Sequence, residues 1–490
     1  MATTAVSAQK KPAYMFQRWM DLLGIPVAVV VFVGLYLMPT PSGLTLNGQM
    51  ALAIFFGALV LWVSQAIPTY VTSLLCVCLL ITTGTWTEAR VLGVFGQDVI
   101  WLMLCAFVLT AAMSKANLAR RLALFMVTSF SRSAKWALLS MIILNGILAF
   151  LVPSTTARAA LILPIVLILA DVYGAKPGGT SNFGVALMNQ EIQANNIFTS
   201  GIMTATACNV MAVGYIKELG GQEIYYSDWL FAMFPITIIV MLISWVIGLV
   251  LYPPEHNTPQ GRGLDDLKVE LKNMGPLSVD EWRALFIFAL VVFLWSTDFM
   301  HVQWWGFPIS TATAAVIAAT LCLLPGIGLI TWKESNIPWE LMIFSVGAYS
   351  VGLALENSGA ARWIMDYVFA ASGIKSMSFF SAYVIVILVA MFSHFIFTSK
   401  IVRTAIVIPV VIGLAKTMGY SPAAFALPAA FTMCWSITLP PHCKPNLIFY
   451  GTGYFTIPQQ LMYGMLICVI GSVLLILAGP TWFTFLGFMQ

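Results

Sequence analysis

Two stretches of this 490-residue chain are written in one grammar. Ser154-Thr155-Thr156-Ala157-Arg158-Ala159-Ala160-Leu161-Ile162-Leu163-Pro164 aligns with Ser399-Lys400-Ile401-Val402-Arg403-Thr404-Ala405-Ile406-Val407-Ile408-Pro409. Ser falls on Ser, Arg158 on Arg403, Ala160 on Ala405 and Pro164 on Pro409, with an aliphatic run before each proline. Both stretches interrupt strongly apolar surroundings. A cation at bilayer depth costs about 2.5–3.5 kcal/mol even on the lenient insertion scale. No Asp or Glu follows Asp366 to pair with Lys400 and Arg403. Either distant acids reach in, or the partner is a mobile anion. Two copies of a polar, cationic break half a chain apart point to a duplicated transporter with its site at the repeat interface.

Composition agrees with a bilayer as the solvent. The chain is 60% hydrophobic and 9% charged, with a mean hydropathy of +0.92, whereas soluble domains carry about a quarter charged residues. The expected class is an all-α polytopic membrane protein of about eleven transmembrane helices. A net charge of +4 gives no face for nucleic acid. The eight cysteines lack CxxC pairs or histidine spacing for a metal, so no metal or cofactor is expected.

Taken in order, residues 1–22 read as a cytoplasmic tail carrying Lys10, Lys11 and Arg18, and 23–48 as a first helix and loop. Residues 49–252 form repeat 1, with a re-entrant hairpin at about 136–172 and a broken helix at about 192–217. Tyr173–Asn195 reads as a polar stretch before that break. Residues 253–283 read as a cytoplasmic linker. Residues 284–490 form repeat 2, with a hairpin at about 377–416 and a broken helix at about 422–452. The Lys/Arg bias, with Lys115, Arg120, Arg121, Arg132, Lys135, Lys176, Arg262, Lys268, Lys272 and Lys333 inside and Arg90, Lys217, Arg362 and Lys375 outside, places the N-terminus in the cytoplasm. The first hairpin then enters from the cytoplasm and the second from outside, which makes the repeats inverted.

Four polar breaks remain: two hairpin tips and two interrupted helices. Non-helical backbone survives at membrane depth only where protein or a water-filled cavity satisfies it. Ser154, Thr155, Thr156, Ser399 and Thr404 supply hydroxyl donors, and Thr206, Asn209, Cys443 and Asn446 line the interrupted helices. Arg158, Lys400, Arg403, His442 and Lys444 supply positive charge. Everything at the breaks donates and nothing is anionic, so the expected ligand is an anion of more than one negative charge. Plainer roles stand beside this one. Lys400 can snorkel to the surface, Arg158 and Arg403 can be struts on broken-helix carbonyls, His394 and His442 can pack in a core, and Cys208 and Cys443 can fill space.

At these residues the chain resembles the divalent-anion/sodium symporter family, whose Ser-Asn-Thr tips look like Ser154-Thr155-Thr156 and Ser399-Lys400-Ile401. The resemblance covers nearly the whole chain. It implies inverted repeats, a homodimer, elevator-type motion and transport of di- or tricarboxylates or sulfate, coupled to sodium or run as anion exchange. The sequence departs from the pattern at the tips. Thr155 and Lys400 stand where the family has Asn, and Ile401 where it has Thr. Arg158 and Arg403 follow four positions after each tip Ser, and Lys444 replaces a small residue. Fixed cations repel sodium and can replace its charge. The expectation is therefore a sodium-independent di- or tricarboxylate exchanger in a bacterial inner membrane. A sodium-coupled dicarboxylate symporter is the alternative. An anion channel and a membrane hydrolase using Ser399 with His394 or His442 follow behind.

Overall fold

A computed structural model describes residues 15–152, 154–260, 263–364, 377–397 and 399–489. Lys10, Lys11, Pro153, Arg262 and Lys375, and the side chain of Arg18, lie outside the described residues. The described residues are helical throughout: α1 (Met15–Leu37), α2 (Leu46–Ser64), α3 (Thr69–Thr82), α4 (Glu88–Gly93), α5 (Asp98–Lys115), α6 (Leu118–Phe130), α7 (Ala134–Leu151), α8 (Thr155–Val172), α9 (Asn182–Gly201), α10 (Ala207–Glu218), α11 (Tyr226–Leu251), α12 (Gly263–Asn273), α13 (Val279–Ser296), α14 (His301–Trp305), α15 (Thr311–Leu323), α16 (Trp339–Asn357), α17 (Phe379–Phe392), α18 (Lys400–Met418), α19 (Pro422–Thr432), α20 (Lys444–Tyr450) and α21 (Ile457–Ala478). Among them, seven helices are long and apolar enough to cross a bilayer, or eight if α13 and the segment after it, bent by 62°, count as one span. Beside these stand five shorter apolar helices, among them Thr69–Thr82 and Thr311–Leu323. Where about eleven transmembrane helices were expected, the described residues thus hold seven or eight full-length spans with shorter, broken and re-entrant helices beside them.

The chain forms two compact units, and their division does not follow the repeat boundary. Unit 1 joins residues up to Val94 with Ile343–Trp363. In it the Ser73 hydroxyl donates to the Phe344 carbonyl at 3.2 Å, and Trp62 meets Phe344 edge-on at 5.6 Å. Gly347 has to be glycine there, because a Cβ would lie 2.7 Å from the Ser73 backbone.

Unit 2 holds everything else, including both hairpins and both broken helices. Helices α7 and α8 form the arms of the first hairpin, α17 and α18 those of the second. A serine starts the second arm of each. Ser154 accepts from Ala157 N and Ser399 from Val402 N, both at 3.3 Å, which satisfies one of the orphan donors of a helix start. Pro164 and Pro409 lie within the arms. The stretch expected as a linker contains α12, tied to α6 by Arg120 on Glu270 at 2.6 Å.

Tyr173–Asn195, read from sequence as a polar stretch, corrects differently. Helix α9 starts at Asn182, ahead of the expected 192, and is buried from Phe183 to Gly201. Its Asn, Gln and Glu side chains face protein. A helix that is polar yet buried on all sides belongs inside a site or a hydrogen-bonded core.

Candidate functional site

The two broken helices are built alike. Helix α9 ends at Gly201, Met203–Ala205 form a 3-10 turn, and α10 starts after Thr206 (φ −160°, ψ 150°). In the second copy Pro440–His442 form the 3-10 turn, and α20 starts after Cys443 (φ −159°, ψ 158°). One constant offset carries Thr206 onto Cys443, Asn209 onto Asn446, Thr199 onto Ser436, Ile202 onto Leu439 and Asn195 onto Thr432.

The hydrogen bonds repeat with the same offset. Asn209 Nδ2 donates to the carbonyls of Thr199 (2.8 Å) and Ile202 (2.9 Å). Asn446 Nδ2 donates to those of Ser436 (2.7 Å) and Leu439 (2.9 Å). Each asparagine spends both amide hydrogens on carbonyls at its break, where the regular i+4 ladder is interrupted. The arginines repeat as well. Arg158 Nη2 donates to the Asn195 carbonyl (2.9 Å) and to the Thr199 hydroxyl. Arg403 Nη2 donates to the Thr432 carbonyl, and its Nη1 reaches the Ser436 hydroxyl at 3.5 Å. Both guanidinium groups are fully buried, and neither forms an ion pair among the described residues. This is the geometry of struts between each hairpin and its broken helix.

One place where the two halves meet is a polar cluster at the second tip. Lys400 Nζ, at the second tip, donates to Asn196 Oδ1 on α9. Asn196 Nδ2 donates to Asn446 Oδ1 at 3.3 Å. The Cys443 thiol reaches Asn446 Oδ1 at 3.2 Å and Asn196 Oδ1 at 3.4 Å. Thr404 Oγ1 donates to the Lys400 carbonyl (2.9 Å). At the first tip, Asn195 Nδ2 donates to the Thr155 carbonyl (3.1 Å). A cavity of about 810 Å³ opens beside that tip, lined among others by Ser154, Ala157, Thr110, Lys115 and Lys333.

The expected site residues thus separate. Lys400, Cys443 and Asn446 meet in the central cluster. Ser154, Thr155 and Thr156 sit half-buried at the first tip, as Ser399 does at the second. Thr206 is half-buried at its break, while Asn209 is fully buried within its own. His442 turns away from the cluster, its Nδ1 3.0 Å from Thr438 Oγ1, and His394 Nε2 shares that hydroxyl at 2.9 Å. Both rings are buried and share the Thr438 hydroxyl, the packing role named above. Lys444 is exposed and forms no ion pair among the described residues.

Sequence reasoning missed Asn195, Asn196 and Thr199, and the carbonyls of Thr432 and Ser436. A signal was present: no proline occurs between Asn182 and Gly201, and Asn195 and Thr199 share a helix face at i, i+4 spacing.

The transmembrane-region model of the sodium:sulfate symporter family matches residues 17–489. The chain belongs to that family. It is an integral multi-pass membrane protein and a transport protein rather than an enzyme. A Cupriavidus necator protein named only as a membrane protein is 27% identical over 95% of the chain and 93% of its own length. The sodium-dependent dicarboxylate transporter SdcS of Staphylococcus saprophyticus is 27% identical, covering 93% of this chain and 90% of its own. The chloroplastic dicarboxylate transporter 1 of Spinacia oleracea is 26% identical, covering 96% and 83%. Among solved structures, the YdaH transporter of Alcanivorax borkumensis superposes with a TM-score of 0.59 at 14% identity, covering 95% of this chain and 98% of its own. The Neisseria gonorrhoeae efflux pump MtrF does so at 0.59 and 11%, covering 94% and 97%. Both likenesses concern the fold.

Proposed function

We propose that the chain is a secondary carrier of dicarboxylate anions. The observation that carries this reading is the cluster of Asn196, Lys400, Cys443 and Asn446, where a fixed ammonium meets amide groups of both repeats with no carboxylate among them. An ammonium so placed suits a carboxylate. The names of the family members SdcS and dicarboxylate transporter 1 support the same class of substrate. Assembly as a homodimer, elevator-type motion, a bacterial inner membrane with the N-terminus inside, and acceptance of tricarboxylates are parts of the proposal that come from the family resemblance.

Two readings of the coupling each have their support. Sodium-coupled symport is the better supported by the relatives, since SdcS is named as sodium-dependent. Sodium-independent exchange is favoured by one observation: the Lys400 ammonium already occupies the Asn196 oxygen between the two repeats. In exchange, an empty site would carry uncompensated cations through hydrocarbon, which is costly, while a loaded one is neutralised. Radiolabelled succinate uptake into proteoliposomes tests both. Uptake into empty vesicles that requires sodium is expected for the symporter. Uptake that requires internal anion and ignores sodium is expected for the exchanger. Flux that does not saturate contradicts a carrier of either kind.

A further inference from the structure

Helix α9 carries a carboxyl group that nothing above uses. Glu191 is fully buried and forms no ion pair among the described residues. One of its oxygens, Oε2, accepts from Asn145 Nδ2 of the hairpin arm α7 at 2.7 Å. Its other oxygen, Oε1, has no donor, and neither does Asn145 Oδ1 have one. None of the charged and titratable groups on the elements packed against α9 pairs with Glu191. Tyr226, at the start of α11, stacks on Trp295, and the Cys468 thiol of α21 reaches the Trp435 carbonyl at 3.9 Å. Arg158 is on Asn195 and Thr199, and Tyr463 on Gln190 and Ser244. Asp228 accepts from Tyr225 N, while Lys135, Asp171, Lys444 and Tyr450 are exposed. Lys400, from the second tip, is on Asn196. A carboxylate buried with one hydrogen bond and no cation is a poor resting state, and a proton removes its charge at no cost in space.

The position ties this group to the anion site. Asn195 lies one helical turn on from Glu191. Its carbonyl accepts from Arg158, its Nδ2 holds the Thr155 carbonyl at the first tip, and its Oδ1 has no donor. The second repeat has no such group: the same offsets carry Glu191 onto Pro428 and Asn145 onto Ala390. We propose that Glu191 is a proton-binding site, and that its proton is a co-substrate which must be in place for the loaded carrier to cross the membrane. This rests on the carrier reading and holds for symport and exchange alike.

The test is the pH dependence of succinate exchange at equal pH on both sides, above the range in which succinate itself takes up protons. The wild-type rate falls as pH rises, by up to about tenfold per unit. Glu191→Gln, which has the shape of the protonated acid, is expected to keep the low-pH rate at every pH. A Glu191→Gln profile as steep as the wild type overturns the proposal. A second readout needs no transport. Dicyclohexylcarbodiimide reacts with protonated buried carboxyl groups, so mass spectrometry should find label on Glu191 that declines with rising pH. No label on Glu191 at any pH also overturns it. Absence of exchange in both proteins, with Glu191 still labelled, instead marks the failure of the dicarboxylate reading.

Discussion

The two broken helices do the same work by different means. The first is short: α9 runs to Gly201 and α10 resumes at Ala207, with no proline between them. The second opens earlier, after Thr432, and closes only at Lys444. The cause is Pro440-Pro441. Each proline removes an N–H and disfavours helix in the residue before it. The carbonyls left without their i+4 donors are those of Ser436 and Ile437. Asn446 Nδ2 takes the first at 2.7 Å, and Gln460 Nε2 of α21 takes the second at 3.1 Å. Gly464, one turn further along α21, lets this backbone approach, since a Cβ there would lie 2.8 Å from the Ile437 carbonyl oxygen. Each break also draws a donor from a neighbouring helix: Trp229 Nε1 of α11 takes the Ser200 carbonyl at 3.0 Å, the position that Ile437 holds in the second copy. The break set by proline is the more open of the two and receives Arg403 of the second tip, while Lys400 of that tip reaches Asn196 on the first broken helix.

This contrast can be broken at graded cost. Asn446→Ala strands the buried Ser436 carbonyl, a loss that costs about 1–3 kcal/mol, while the Leu439 carbonyl keeps His442 N. It should lower thermal stability in detergent more than Asn209→Ala, because Asn446 also holds Asn196 and Cys443. Equal losses would mean that the central cluster adds nothing. Gln460→Ala also strands one carbonyl, that of Ile437, and should cost less than Asn446→Ala because no contact in the cluster goes with it.

The arginines sharpen the comparison. Arg403 places Nε against the Met433 sulfur at 3.4 Å in addition to its Nη contacts, whereas Arg158 Nε and Nη1 have no partner. Arg403→Lys should therefore cost more than Arg158→Lys, by about 1 kcal/mol, as measured by the unfolding midpoint of each variant. Lys400→Asn restores the amide that the family carries at this tip. Loss of its ammonium is expected to raise the KM for succinate about tenfold, or about 1.4 kcal/mol, in transport assays. The corresponding Thr155→Asn at the first tip, which removes no charge, should change it less.

The smallest effect lies away from both tips. Lys115 Nζ sits 2.6 Å from Glu334 Oε1 at the mouth of the cavity beside the first tip. The hydrogen bond from Lys115, with those from Thr331, holds the Glu334 carboxyl down at about 2. A carboxyl held below its ordinary value contributes stability above that value and loses it as pH falls toward 2. The pair is half-exposed, so salt screens it. Glu334→Gln should leave the unfolding midpoint unchanged at physiological salt, with a small loss appearing only at low salt and vanishing in acid.

Much of this could be read in the chain before any coordinates. The Ser…Arg…Pro grammar located both tips, and Asn209 and Asn446 were placed at the breaks, because cations and amides inside apolar runs have few permitted uses. Asn195, Asn196 and Glu191 were not placed, because a helix buried on every side has polar residues that look, by composition alone, like a solvated stretch. The partner of His442 was also beyond reach: its Nδ1 meets the Thr438 hydroxyl, a contact that periodicity is silent on. The carbonyl partners of the arginines belong to the same class, since backbone acceptors leave no mark in the sequence.

The most direct test of the account is labelled succinate uptake into proteoliposomes, with and without sodium and with and without internal succinate, for the wild type and Lys400→Asn. The account predicts saturable uptake that unlabelled dicarboxylate competes away and that Lys400→Asn weakens through KM. The sodium and internal-anion arms then separate symport from exchange. Linear, uncompeted flux, or uptake that Lys400→Asn leaves untouched, would contradict a carrier whose anion site is built where the two repeats meet.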